Sequence, residues 1–581
     1  MKNAPKAIYI LLIINLFSWN IIGQLKNSTI YAPPLDIPLA VSSNFGELRS
    51  DAFHFGIDFK TAGTTGLNVH SIDTGYVSRI KIEAGGYGRA LYITHPNGIV
   101  SVYAHLSSLN KLISEYCKNE QYKQMQYAVD LAIGPGKLPV RKGEIVALSG
   151  NAGYSFGAHL HFEIRDAKTE ETLNVLHLFN FKVVDTLPPI FNQLWIYPID
   201  SISKVNNNST AISFPTAKKG GNYELIIVKP IVVSGKIAFG IQAHDILNNN
   251  ANKTGIYSIE VFVNDEVCFQ QEIDKLSFND MRYVNSVLDY GRLLRDSEKI
   301  NRLFLQPNNL LNIYKTVKNR GVLAIEDTLS RNIRIVIKDA NMNQSVLRFI
   351  IKGAGSYVKS GVSKINVESL LQKLNCKQPN TITKGDFILN IPLNALYDDL
   401  KFEFYKSPRQ PGFYSEMYSV HNIYTPMQKA CIINIKPVGV KSKYLSKAVI
   451  VNIGKSGKIS SLGGVLKDGF IQANIKSFGK YSIMIDTIPP IIKPLFKNAK
   501  KNDFTNSSEM QFMIEDVLSG VKIYRGEIDG KWSLFEYNAK DHLLYYKFDS
   551  AHIGTGKDHT LELVVTDERG NKSDYHTTFY K

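Results

Sequence analysis

The chain has 581 residues, too many for one hydrophobic core, and ordinary domain sizes divide it into about three to five units. A hydrophobic content of 44% with 11% aromatic residues excludes wholesale disorder. The formal net charge of +16 fits anionic envelope polymers, a membrane surface or simply a Lys-rich solvated exterior; no nucleic-acid recognition motif accompanies it, so nucleic acid is excluded as a partner.

In chain order, Lys2 and Lys6 precede an apolar run from Ala7 to Gly23, the pattern of a secretory signal peptide (1–23) cut after Gly23. The alternative is an uncleaved anchor, since the run is nearly long enough to span a bilayer. No later segment has that length, so no membrane span is expected after signal removal. The four cysteines, Cys117, Cys268, Cys376 and Cys431, lack zinc-ribbon spacing, and only Cys376 and Cys431 are placed to share a bridge.

After a polar lead-in, residues up to about Asp166 read as short strands with Gly-rich turns: Val69 to Ile72, Gly75 to Ile82, Arg89 to Thr94 and Ile99 to Leu106. Three words stand out. In Phe53-His54-Phe55-Gly56-Ile57-Asp58-Phe59, period-2 alternation puts the apolar residues on one face and His54, Gly56 and Asp58 on the other. In Tyr103-Ala104-His105-Leu106, His105 falls on the face of Ser101 and Tyr103. In His159-Leu160-His161-Phe162-Glu163, His159, His161 and Glu163 share a face, with the two imidazoles about 7 Å apart. Each apolar face can enter a core while each polar face offers nitrogen and oxygen donors, the layout of a metal site on a sheet. Gly153-Tyr154-Ser155-Phe156-Gly157 satisfies G-x-S-x-G, but a strand follows where a nucleophile elbow needs a helix, so Ser155 is a turn residue. His70, His95 and His177 read as structural or exposed.

The ordered trio H-x-x-x-D, Tyr-Ala-His and H-L-H-F-E resembles the lysostaphin/LytM-type zinc metallopeptidases, over roughly the first third of the chain. The resemblance implies a duplicated hybrid-motif β-sheet peptidase domain (24–184) with His54, Asp58 and His161 as Zn2+ ligands, and His105 and His159 as the non-ligand histidines that activate water or stabilise the oxyanion. Two imidazoles and one carboxylate leave a bound zinc at net +1, enough to acidify water. Glu163 is then either a partner behind a ligand imidazole or a plain surface carboxylate, and Tyr103 a candidate for shaping the oxyanion region. Gly150-Asn151-Ala152-Gly153 and Gly157-Ala158-His159 depart from the family's Gly-Asn-Thr-Gly and Gly-Pro-His, away from the five site positions.

Leu109 to Ile133 interrupts the β pattern with apolar residues at helical intervals, which reads as a helical insertion (about 109–133), either a cap over the site or an inert surface helix. Beyond it, Asp185-Thr186-Leu187-Pro188-Pro189-Ile190 recurs as Asp486-Thr487-Ile488-Pro489-Pro490-Ile491, and further echoes follow each copy. This predicts two immunoglobulin-like β-sandwiches, 185–352 and 486–581, flanking a third β-rich domain of unknown type, 353–485. Asp339 and Asp567 read as turn formers rather than calcium ligands. The chain is therefore expected to be mainly β, an exported zinc endopeptidase of the periplasm or cell envelope acting on peptidoglycan peptides, its C-terminal β domains serving as spacers or binding the wall or envelope proteins. The alternatives are a non-catalytic wall-binding or amidase-activating protein, and a zinc peptidase acting on proteins.

Overall fold

The computed structural model describes residues 30–355, 372–496 and 502–581; the expected signal segment lies outside the described residues. The chain is mainly β. Seven strands make the principal path of the N-terminal sheet: β1 (Val41–Ser43), β2 (Ile57–Lys60), β3 (Gly75–Ile82), β4 (Arg89–Thr94), β5 (Ile99–Ala104), β6 (Val129–Ala132) and β7 (His159–Asp166). Their order, β1-β2-β7-β5-β4-β3-β6, is antiparallel throughout and puts β7 between β2 and β5. In that register His161 lies opposite Asp58 on one side and Ala104 on the other. Two distant words of sequence thus become neighbours.

Leu160, Phe162 and Ile164 of β7 are fully buried in the N-terminal core with Ile57, Phe59 and Tyr103, as period 2 requires. The opposite face is also covered. Residues of the following unit, among them Ile273, Leu276, Val284 and Leu311, pack with Phe45, Phe53 and Phe55 in a second core, where Phe55 stacks on Phe278 with centroids 4.3 Å apart. The word from Phe53 to Phe59 is therefore not one strand. Ala52–Phe53 pairs with Leu48–Arg49 in a separate two-stranded sheet and the chain joins the main sheet only at Ile57, so Phe53 and Phe55 enter a different core from Ile57 and Phe59.

The insertion is helical only in its first half. Helix α1 (Lys111–Gln124) is capped by Asn110, whose side chain accepts from the Ile113 amide at 3.0 Å. Met125 then takes a left-handed conformation, and β6 pairs with β3. Val129 and Leu131 are buried while Asp130 and Ala132 are exposed, a period of 2 that runs against the helical reading.

Three further cores follow, gathered from Phe191 to Ile351, Leu374 to Ile483 and Phe504 to Phe579. In the first of them β8 (Ile190–Pro198) pairs with β9 (Ile231–His244), and β10 (Ser330–Lys338) with β11 (Gln344–Gly353). In the last, β12 (Ile491–Pro494) pairs with β13 (Glu509–Glu515), and β14 (Asp558–Asp567) with β15 (Lys572–Tyr580). The middle core is enclosed by two five-stranded sheets. All four cysteines are buried and free, so Cys376 and Cys431 form no bridge.

Candidate active site

Asp58 and His161 face each other across the β2–β7 pairing, and the irregular segment before β2 brings in His54. His54 Nε2 lies 3.1 Å from both His161 Nδ1 and Asp58 Oδ1, and His161 Nδ1 lies 2.8 Å from that same oxygen. All three side chains are buried. A tetrahedral ion with bonds of about 2.0–2.1 Å holds its donors about 3.3 Å apart, so the cluster needs to open by only a few tenths of an ångström to accept zinc.

The groups behind the donors fix their tautomers. His54 Nδ1–H donates to the Asn44 carbonyl at 2.8 Å, leaving Nε2 with its lone pair toward the cluster. His161 does the reverse: Nε2–H donates to Glu163 Oε1 at 2.9 Å, and Nδ1 faces Asp58. Glu163 is fully buried and also binds the Tyr87 hydroxyl and Arg165, whose Nη2 is 2.6 Å away. It is a partner of the ligand imidazole, not a surface carboxylate. Arg49 Nη2 donates to Asp58 Oδ2 at 3.1 Å, leaving Oδ1 for a cation.

Burial would push the Asp58 carboxyl up, but the neighbouring imidazoles of His54 and His161, which face it, hold it well below the ordinary range. Against its own burial, hydrogen bonds to Asp58 and Glu163 raise His161 to about 9, and His161 and Arg165 hold Glu163 down at about 2. The acidic surroundings of His161 call for a positive charge, which a proton or a divalent cation can supply.

His159 Nε2 lies 3.5 Å from Asp58 Oδ1, and the His105 and His159 rings stand 4.9 Å apart. Each is held by a carbonyl on Nδ1: His159 donates to Gly157 at 2.9 Å and His105 to Ala152 at 2.8 Å. Burial first, then the neighbouring His161 and His159, lower His105 to about 3, so it is neutral. His105 reaches the site by a route alternation does not give. Tyr103 points into the core and its hydroxyl accepts from the Ile72 amide at 3.0 Å, so a continuing strand would bury His105 beside it. At φ +60°, His105 leaves β5 and turns to the opposite side. Tyr103 itself is therefore no part of the site.

The aromatic group that does belong there is Tyr87, stacked on His161 at 5.4 Å and edge-on to His105 at 6.3 Å. Sequence reasoning passes over it because Gly85-Gly86-Tyr87-Gly88 reads as a turn. Ser155 stays in its turn, hydrogen-bonded to the Gly157 carbonyl at 2.9 Å. His70, His95 and His177 bind the backbone carbonyls of Gly143, Thr74 and Ala340 away from the cluster.

A buried His/Asp/His set on an antiparallel sheet, with the imidazoles of His105 and His159 at its mouth, offers the donors a metal ion takes. The model for Peptidase family M23 matches residues 52–122, a span that includes His54, Asp58 and His105 and ends before His159 and His161; the chain carries a domain of that family. A Zu5-like domain matches residues 371–486, the β-rich unit whose type the sequence leaves open. The DD-carboxypeptidase/endopeptidase Mpg of Neisseria meningitidis serogroup B (strain ATCC 13091 / M2091) is 32% identical over 130 residues, 22% of this chain and 24% of that protein. An uncharacterized metalloprotease of Haemophilus influenzae is 31% identical over 136 residues, 22% of this chain and 23% of its own. The likeness thus spans about a quarter of these curated relatives. Among solved structures, the catalytic domain of the antimicrobial peptidase lysostaphin from Staphylococcus simulans aligns with 22% identity and a TM-score of 0.17, covering 24% of this chain and 90% of that one.

Proposed function

We propose that this protein is an exported zinc metalloendopeptidase that hydrolyses peptide bonds of bacterial peptidoglycan, with a D-alanyl–diaminopimelate cross-link as the first candidate bond. The observation that carries the reading is the convergence of His54 Nε2, Asp58 Oδ1 and His161 Nδ1, each with its other polar atom already engaged. The naming of Mpg as a carboxypeptidase and endopeptidase supports the substrate class. Among the described residues no helix is long and apolar enough to cross a membrane.

Those three residues would hold the zinc, which when bound supplies a Lewis acid that polarises the scissile carbonyl and acidifies water. His159 and His105 do the proton work. With Nδ1–H committed to a carbonyl, each turns Nε2 to the site, the atom that would accept a proton from attacking water and return it to the leaving amine. The imidazolium formed in between stabilises the charge on the tetrahedral oxygen. Glu163 and the Asn44 carbonyl keep the ligand imidazoles in the required tautomers.

The test is muropeptide release from purified sacculi by the unsubstituted chain and by His161→Ala, each with its zinc content measured. Cleaved cross-links with stoichiometric zinc, both lost in the variant, are expected. Folded protein that takes up no zinc and releases nothing would instead make this a wall-binding or amidase-activating protein, and zinc uptake with cleavage of proteins alone would move the substrate away from the wall.

A further inference from the structure

The two Asp-Thr-x-Pro-Pro-Ile repeats mark more than domain boundaries. Asp185 precedes β8, Asp245 directly follows β9 and Asp339 directly follows β10; the three carboxylates offer oxygens all within 4.8 Å of one another. In the last unit Asp486 precedes β12, Asp516 follows β13 and Asp567 ends β14, and these form a second such group. The correspondence extends to the surrounding bonds. Asn343 donates its side-chain amide to Asp339 Oδ2 at 2.8 Å and to the Asp185 carbonyl at 3.2 Å; Asn571 does the same to Asp567 at 2.7 Å and to the Asp486 carbonyl at 3.1 Å. Ser345 binds the Pro189 carbonyl and Ser573 the Pro490 carbonyl, each at 2.5 Å.

We propose that each immunoglobulin-like unit binds one calcium ion, held by Asp185, Asp245 and Asp339 in the first and by Asp486, Asp516 and Asp567 in the last. What points to a ligand, beyond the crowding of carboxylates, is a missing bond that recurs. Asp245 is 2% exposed, and its Oδ1 is buried with no hydrogen-bond partner, although Oδ2 takes a 3.3 Å bond from Thr254. Its counterpart Asp516 is only half-buried, but it too has Oδ2 accepting from the Leu518 and Gly520 amides while the Oδ1 atom is covered and unpartnered. A buried carboxylate oxygen left without a partner is costly, and a cation at that point removes the cost. The hydrogen-bond donors named here are neutral amides and hydroxyls, and in the first group burial and the crowding of carboxylates push Asp245 up to about 7 and Asp339 to about 6, a cost that a bound cation would relieve.

The donor set is all oxygen, which selects a hard cation. Calcium accepts six to eight oxygens in a flexible shell that carboxylates, backbone carbonyls and water can complete together, whereas magnesium demands a rigid octahedron and keeps most of its waters. Each ion would tie the entry linker of a sandwich to the turns at one end of its sheets, so calcium would stiffen the joint before each unit.

The zinc-loaded full chain, stripped of calcium, is titrated with calcium by calorimetry and followed by thermal melting, with magnesium as the control. Two equivalents are expected, with Kd about 0.1–1 mM as in extracellular calcium modules, together with a rise in melting temperature. Asp245→Asn and Asp516→Asn, which keep the side-chain volume, should each remove one equivalent and together remove both, with circular dichroism unchanged. Terbium luminescence of the unsubstituted chain, quenched by calcium competition, gives the same answer if a variant misfolds. Absence of heat, melting shift and terbium signal at millimolar ion, retention of both equivalents in the folded double variant, or an equal response to magnesium would each overturn the proposal.

Discussion

His161 meets four groups from three stretches: Asp58 and His54 on its Nδ1 side, Glu163 of its own strand on Nε2 and Tyr87 over its face. Glu163 does most to orient it, and it is also one half of a buried ion pair with Arg165. Glu163→Gln removes that charge and leaves Arg165 buried beside a neutral amide, so stability should fall by about 3 kcal/mol. The weaker acceptor should also lower zinc affinity by about 10–100-fold. Urea denaturation and zinc competition against a chelator measure the two effects separately; unchanged affinity would mean that Glu163 only serves the fold. The residues of the cluster, His54, Asp58 and His161, are legible in the sequence because their chemistry and order are unusual. Tyr87, Asn44 and Arg49 are not, since a tyrosine in a glycine turn, a backbone carbonyl and a surface arginine acquire roles only once the chain has brought them beside the cluster.

At the scale of elements, the strands from Gly75 to Ile82 and Arg89 to Thr94 are readable because each is a short run rich in aliphatic and aromatic residues between turn residues, although the first is interrupted by a register shift between Val77 and Arg79 and the second is buried on both faces from Ala90 to Ile93. The departures fall where tertiary packing divides a pattern: Phe53 and Phe55 are drawn into a core supplied by residues more than two hundred positions later. At the break the backbones also run close together. A Cβ on Gly56 would stand 2.6 Å from the Phe162 carbonyl oxygen, 2.8 Å from Glu163 Cγ and 2.9 Å from His161 Cε1. Gly56→Ala must therefore push β7 away from β2, at a cost of about 1–3 kcal/mol for overpacking. Because the displaced residues are His161 and its partner, zinc affinity should fall along with the melting temperature. Gly134→Ala, whose added Cβ meets nothing within 4 Å, is the control expected to leave both unchanged.

Over the whole molecule, the repeat of Asp-Thr-x-Pro-Pro announces two related β-rich units, but nothing local announces that the last one returns to the N-terminal domain. Arg89 Nη2 meets Glu536 at 3.0 Å while Arg89 Nη1 donates to the Ser107 carbonyl at 2.6 Å, and Tyr122 of α1 stacks on His552 with centroids 3.8 Å apart. The insertion helix thus docks the last unit, a role outside the choice between cap and inert surface. Lys540 matters most for chemistry: its Nζ donates to the Asn151 carbonyl at 3.2 Å and to the Ser155 carbonyl at 2.9 Å, while the Ala539 amide donates to Ala84 at 3.1 Å. The first loop includes the Ala152 carbonyl that orients His105, and the second leads into Tyr87. Freeing that loop should loosen the His105 anchor without touching the ligands. Lys540→Ala is accordingly expected to keep full zinc content and to lose about 3–10-fold in kcat with KM little changed, since a misplaced imidazole costs proton transfer rather than binding. Steady-state kinetics with zinc analysis decides it: a rise in kcat would show that the last unit restrains the peptidase instead of buttressing it, and loss of zinc would show that the loop holds the ligands as well as His105.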